Sequence, residues 1–140
     1  MPQINTDETR LSAAGRDIMN LKYKEITEAI IGSAFEVHNI LGYGFLEKVY
    51  QRAMQVELLK RGHSAELEPA IKVKFKGVIV GDYAADLLVG GKVIVELKVA
   101  KKYNHRDEPQ LLNELKATEM KVGLLINFGK EKLEFKRFVY

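Results

Sequence analysis

Three charged residues interrupt stretches that are otherwise apolar. Asp86 stands within Tyr83-Ala-Ala-Asp-Leu-Leu-Val89, and Glu96 and Lys98 stand within Val93-Ile-Val-Glu-Leu-Lys-Val99. Alternation along a strand projects Glu96 and Lys98 from the same face. The turn at Gly90-Gly91 decides whether Asp86 joins them. A two-residue loop sets Asp86 opposite Val95, whereas a three-residue loop through Lys92 sets it opposite Glu96. Carboxylates opposed on one covered face repel each other and lose hydration, and a hard divalent cation relieves both costs. Mg²⁺ or Mn²⁺ there would lower the pKa of a bound water and take up charge on a phosphate ester. Lys98 would orient the nucleophile or balance that charge. The competing reading leaves Asp86 at a strand edge and makes Glu96 and Lys98 a surface ion pair worth under about 1 kcal/mol.

The elements that must position these residues follow from periodicity. Ile26, Ala29, Ile30, Ala34, Val37, Ile40 and Leu41 fall at helical spacing from Lys24 to Leu41. Leu46, Val49, Tyr50, Ala53, Met54 and Leu58 mark a second helix, ending at Arg61 with Gly62 beyond it. From Ala65 to Phe75 apolar residues alternate with charged ones, predicting one half-buried strand, with Pro69 pointing to an edge. Gly77 turns the chain into a second strand, Val78 to Val89, and the glycine pair turns it into a third, Val93 to Val99. Asp107 and Pro109 open a helix through Glu119. Val122 to Phe128 is a continuous apolar strand, and a last strand runs from Lys132 to Val139. The order is α-α-β-β-β-α-β-β, and the strand–helix–strand passage should join parallel strands through a right-handed crossover.

Asp86 followed by Glu96-Leu97-Lys98, within that element order, resembles the core of the PD-(D/E)XK nuclease superfamily. Gly44-Phe-Leu-Glu47-Lys-Val-Tyr50 is similar to the signature of the GxxExxY family within it. Ala85-Asp-Leu-Leu-Val89, Val95-Glu-Leu-Lys98, Gln110-Leu-Leu-Asn113 and Gly123-Leu-Leu-Ile-Asn-Phe128 support the likeness, which spans residues 24–138. The resemblance implies an α/β (α+β) domain with a mixed central sheet flanked by helices. It implies a metal-dependent nuclease acting on DNA or RNA, or a catalytically silent relative that binds nucleic acid or protein. Asp86 and Glu96 would ligate the metal, Lys98 would be the catalytic lysine, and Glu47 a further acidic ligand or water-holder. Gln110 would match the helix glutamine of RecB-like nucleases. The tyrosine those enzymes often carry four residues later is Glu114 here. Plainer roles exist for the same residues. An acid at Glu47 gains from the helix dipole, Tyr50 suits packing with a hydroxyl partner, and Gln110 could complete a capping box.

Composition narrows the remaining classes. The chain has 140 residues, 46% hydrophobic and 29% charged, which is one domain's length. Residues 1–20 lack a regular apolar period and read as a flexible arm before a single domain at 21–140. No cysteine is present, which excludes disulfides and thiolate metal sites and fits a cytoplasmic protein. No apolar run suits a membrane, and no secretion signal is expected. The net charge of +3 permits a polyanionic partner without demanding one. His38, His63 and His105 lack metal-ligand spacing. The loop Lys101-Lys102-Tyr103-Asn-His105-Arg106 could touch a phosphate backbone, with Tyr103 stacking on a base. A homodimer or partner protein would supply selectivity beyond this small domain.

Overall fold

A computed structural model describes the backbone from Ala13 to Tyr140 and side chains from Tyr23 onward. Two helices, α1 (Ala13–Leu41) and α2 (Glu47–Lys60), precede seven strands and a third helix. The strands are β1 (Ala65–Leu67), β2 (Ala70–Phe75), β3 (Val78–Ala84), β4 (Leu87–Val89), β5 (Val93–Lys98), β6 (Val122–Asn127) and β7 (Glu134–Val139). A 3₁₀ turn at His105–Asp107 leads into α3 (Glu108–Thr118) between β5 and β6. The first residues of α1 fall within the stretch read as an arm, whose remainder, residues 1–12, lies outside the described residues.

Five strands form one mixed sheet in the order β1-β4-β5-β6-β7, while β2 and β3 form a separate hairpin. The pairing of β5 with β6 is parallel, as the intervening helix led us to expect, and the other pairs of the sheet are antiparallel. Both central strands are covered on both faces. One face meets α1 and α2, where Ile30, Ala34, Val37, Tyr50, Met54 and Leu58 pack against Val93, Val95, Leu97, Leu124 and Phe128. The other meets α3, where Leu111 and Leu115 pack against Ile94, Leu125 and Phe138. Burial of these side chains is the main driving force for joining the layers. Among the described residues no helix is long and apolar enough to cross a membrane.

Two of the expected strands are each divided. The first breaks at Glu68, whose φ is +52°, and at Pro69, which lacks an N–H for the ladder. The second breaks at Ala85 and Asp86. These breaks face each other: Glu68 N–H donates to the Asp86 carbonyl at 3.0 Å, and Ala85 N–H donates to that of Pro69 at 3.1 Å. Pairing therefore continues across the joint while the hairpin leaves the sheet. Alternation persists on either side of the joint, so the sequence reads as unbroken strands. At the other end of β4, Gly90 and Gly91 take positive φ values of 59° and 65°, which glycine tolerates without steric cost.

Candidate functional site

The register of β4 against β5 settles which of the two sequence alternatives holds. Leu87 pairs with Val95 and Val89 with Val93, the register of the three-residue loop. Asp86, one residue before β4, therefore faces Glu96. The backbone fixes both carboxylates reciprocally. Asp86 N–H donates to Glu96 Oε1 at 3.2 Å, and Leu97 N–H donates to Asp86 Oδ2 at 2.7 Å. Gln51 Nε2, one turn into α2, donates to the Asp86 carbonyl at 2.9 Å and draws that helix onto the strand break.

Glu47 opens α2 and comes within side-chain hydrogen-bonding reach of Asp86. Burial, then the charge of Asp86, raises its pKa, with Lys98 opposing. Lys98 ends β5 half-buried, on the face shared by Ile94 and Glu96. Tyr50 supports this corner: its hydroxyl donates to the Gly42 carbonyl at 2.7 Å, and its ring stacks on Phe128 at 4.7 Å. Tyr50 thus takes the packing role with a hydroxyl partner.

Glu114 is the residue whose importance the sequence did not convey. In the sequence it stands out only as a departure from a tyrosine, yet it is fully buried on α3 and faces Glu96. Burial, then the charges of Asp86 and Glu114, pushes the Glu96 carboxyl up to about 10. Burial also raises Glu114, although hydrogen bonds from Glu96 and Gln110 pull the other way. Glu114 Oε1 is buried without a donor. Two ionised carboxylates cannot hydrogen-bond each other, so a shared proton or a cation must satisfy them. Gln110, exposed at the rim, donates to Glu114 Oε2 at a long 3.5 Å instead of completing a capping box. Asp107 occupies the N-cap of α3 but makes no side-chain cap bond. Asn104 caps the preceding 3₁₀ turn by accepting from Arg106 N–H at 2.9 Å.

Glu47, Asp86, Glu96, Glu114, Gln110 and Lys98 thus converge from two helices and two strand ends. Among the described residues, no three histidine, aspartate or glutamate side chains stand as a ready-made cation cage. The donor chemistry nevertheless fits a hard divalent ion. All the acidic groups offer oxygen, and the buried Glu114 Oε1 has no hydrogen-bond donor among the described residues.

The basic loop divides. Lys101, Lys102, His105 and Arg106 are exposed, whereas Tyr103 is only 9% exposed. Its hydroxyl donates to Glu108 Oε2 at 2.9 Å, an oxygen that also accepts from Lys136 at 2.8 Å and meets His105 Nδ1 at 2.8 Å. Burial works against charge on Glu108, but these bonds hold its pKa below the ordinary value. The Tyr103 ring is packed into the fold, which withdraws its face from base stacking. Asn127 is a second residue the sequence did not single out. Paired with Lys98 across β5 and β6, it exchanges two 3.0 Å hydrogen bonds with the Ala100 backbone and so fixes the chain leaving Lys98. Gly129 lies against the same backbone, where a Cβ would collide with Ala100.

Comparison with known proteins agrees with this architecture. A family model described as the PD-(D/E)XK nuclease superfamily matches residues 24–138. The crystal structure of SSO0001 is similar in fold, with a TM-score of 0.52 at 16% sequence identity. The match covers 86% of this chain and 61% of that one, so the chain spans less than two thirds of that protein's length. No curated protein matches the chain.

Proposed function

Because the chain belongs to the PD-(D/E)XK nuclease superfamily, we propose that it is a Mg²⁺- or Mn²⁺-dependent nuclease hydrolysing phosphodiester bonds in DNA or RNA. The observation that carries this reading is the facing of Asp86 and Glu96, with Lys98 two residues along the same strand face. Within the superfamily we group the chain with GxxExxY proteins. Glu47 reaching Asp86, and Tyr50 bonding back to Gly42, give that signature a physical purpose.

Asp86, Glu96 and Glu47 would hold the cation, which when bound supplies a water of lowered pKa and positive charge for the phosphate. Lys98 orients that water or balances charge on the phosphoryl oxygens. Glu114 fixes the Glu96 carboxyl from α3, and Gln110 lines the rim. The exposed Lys101, Lys102, His105 and Arg106 contribute positive or hydrogen-bonding groups for a nucleic-acid backbone. A second reading, a silent nuclease-fold module, draws support from Glu114, which stands where RecB-like nucleases often carry a tyrosine.

The test is cleavage of labelled single- and double-stranded DNA and RNA with Mn²⁺ or with chelator. Lys98→Ala should lose at least about a hundredfold in rate, the scale of removing one electrostatic stabiliser. Activity surviving both chelation and Lys98→Ala would overturn the nuclease reading.

A further inference from the structure

An open groove of about 580 Å³ lies beside this site, lined by Tyr43, Lys101, Gly129, Lys130, Glu131 and Lys132. Its walls are three loops, and two of them run directly into site elements. Tyr43 precedes Glu47 by four residues, and Lys101 follows Lys98 by three. Chain reach limits these Cα separations to about 14 Å and about 11 Å. The third loop starts beyond Asn127, the residue paired with Lys98.

The lining carries three lysines against one glutamate, so it favours an anion. Lys130 meets Glu134 at 3.5 Å in a partly exposed pair, a weak and solvent-screened contact that a phosphate can displace. The aromatic member is presented outward, with Tyr43 55% exposed. In a duplex the base faces are stacked on one another, whereas an unpaired base offers a free face to a ring. Lysines alone would serve any backbone; a tyrosine among them selects strands with unstacked bases.

We propose that this groove binds single-stranded nucleic acid and delivers it to the carboxylate cluster, with Tyr43 stacking on a base and Lys101, Lys130 and Lys132 contacting phosphates. Delivery rests on the nuclease reading above; binding does not.

Fluorescence anisotropy of the full chain in chelator tests binding without cleavage. The probe is a fluorescein-labelled oligothymidylate of about twelve nucleotides, within the range of single-strand sites, against a duplex of equal length. The single strand should bind more tightly. Tyr43→Ala should weaken it roughly tenfold, while Tyr43→Phe, which keeps the ring, should retain it. Lys130→Ala with Lys132→Ala should reduce the log–log salt slope by about 1.4. Circular dichroism confirms that each variant is folded. Equal affinity for duplex and single strand, or unchanged binding by folded Tyr43→Ala, would overturn the groove. Binding as expected without Mn²⁺-dependent cleavage supports the groove and overturns the nuclease reading. Cleavage with binding indifferent to Tyr43 does the reverse.

Discussion

Replacing Glu96 with glutamine should flatten the pH dependence of stability. The Glu96 carboxyl has an ordinary pKa of 4.5 in the unfolded chain and about 10 in the fold. Between those values the folded protein holds a proton that the unfolded chain has released, so unfolding becomes easier as pH rises. The slope approaches about 1.4 kcal/mol per pH unit for one such group. From pH 6 to pH 8 this one group should take about 3 kcal/mol from the wild-type protein, a drop of about 10 °C in Tm for a domain of this size. A glutamine amide donates to Glu114 as the protonated acid does, but it cannot titrate. Glu96→Gln should therefore be less sensitive to pH, keeping a shallower slope of the same sign from the raised Glu47 and Glu114. Urea unfolding in chelator at both pH values measures the two slopes. A wild-type slope no steeper than that of Glu96→Gln would refute the buried proton.

One substitution and one deletion probe how the site is positioned. Tyr50→Phe removes the hydroxyl that donates to the Gly42 carbonyl and accepts from Phe45 N–H at 3.3 Å, and should cost about 1–2 kcal/mol in urea unfolding. Deleting Gly91 leaves Gly90 and Lys92 as a two-residue turn that still sets Val89 against Val93, so Asp86 should stay opposite Glu96. Calorimetric titration of this variant should show Mn²⁺ binding retained, and loss of that binding in the folded variant would refute the register argument.

Much of the scaffold was legible in the sequence, because helices α1 to α3 and the covered strands β5 and β6 announce themselves by apolar period and run length. The division at Glu68 and Pro69 was not legible, since a two-residue period continues on both sides of it. The turn length at Gly90 and Gly91 was legible only as two alternatives, because alternation fixes faces within a strand but not the offset between strands. Site residues interrupting apolar runs were visible; those acting across the fold were not. Gln51 reads as an ordinary helix residue until its bond to Asp86 is seen. Asn127 did leave a signal, since it interrupts Val122–Phe128 as Glu96 interrupts β5. Glu114 looked like a missing tyrosine because its buried partner comes from a distant strand.

Gly129 shows how a residue without any functional group can set the course of two neighbouring stretches of chain. Its bare Cα lets the chain leaving β6 lie directly on Ala100, in the stretch that joins Lys98 to Lys101. A methyl group there would wedge those stretches apart and shift Lys98 and Lys101 together. In a saturation screen the position would be scored as indispensable, and the reason would be the room it leaves.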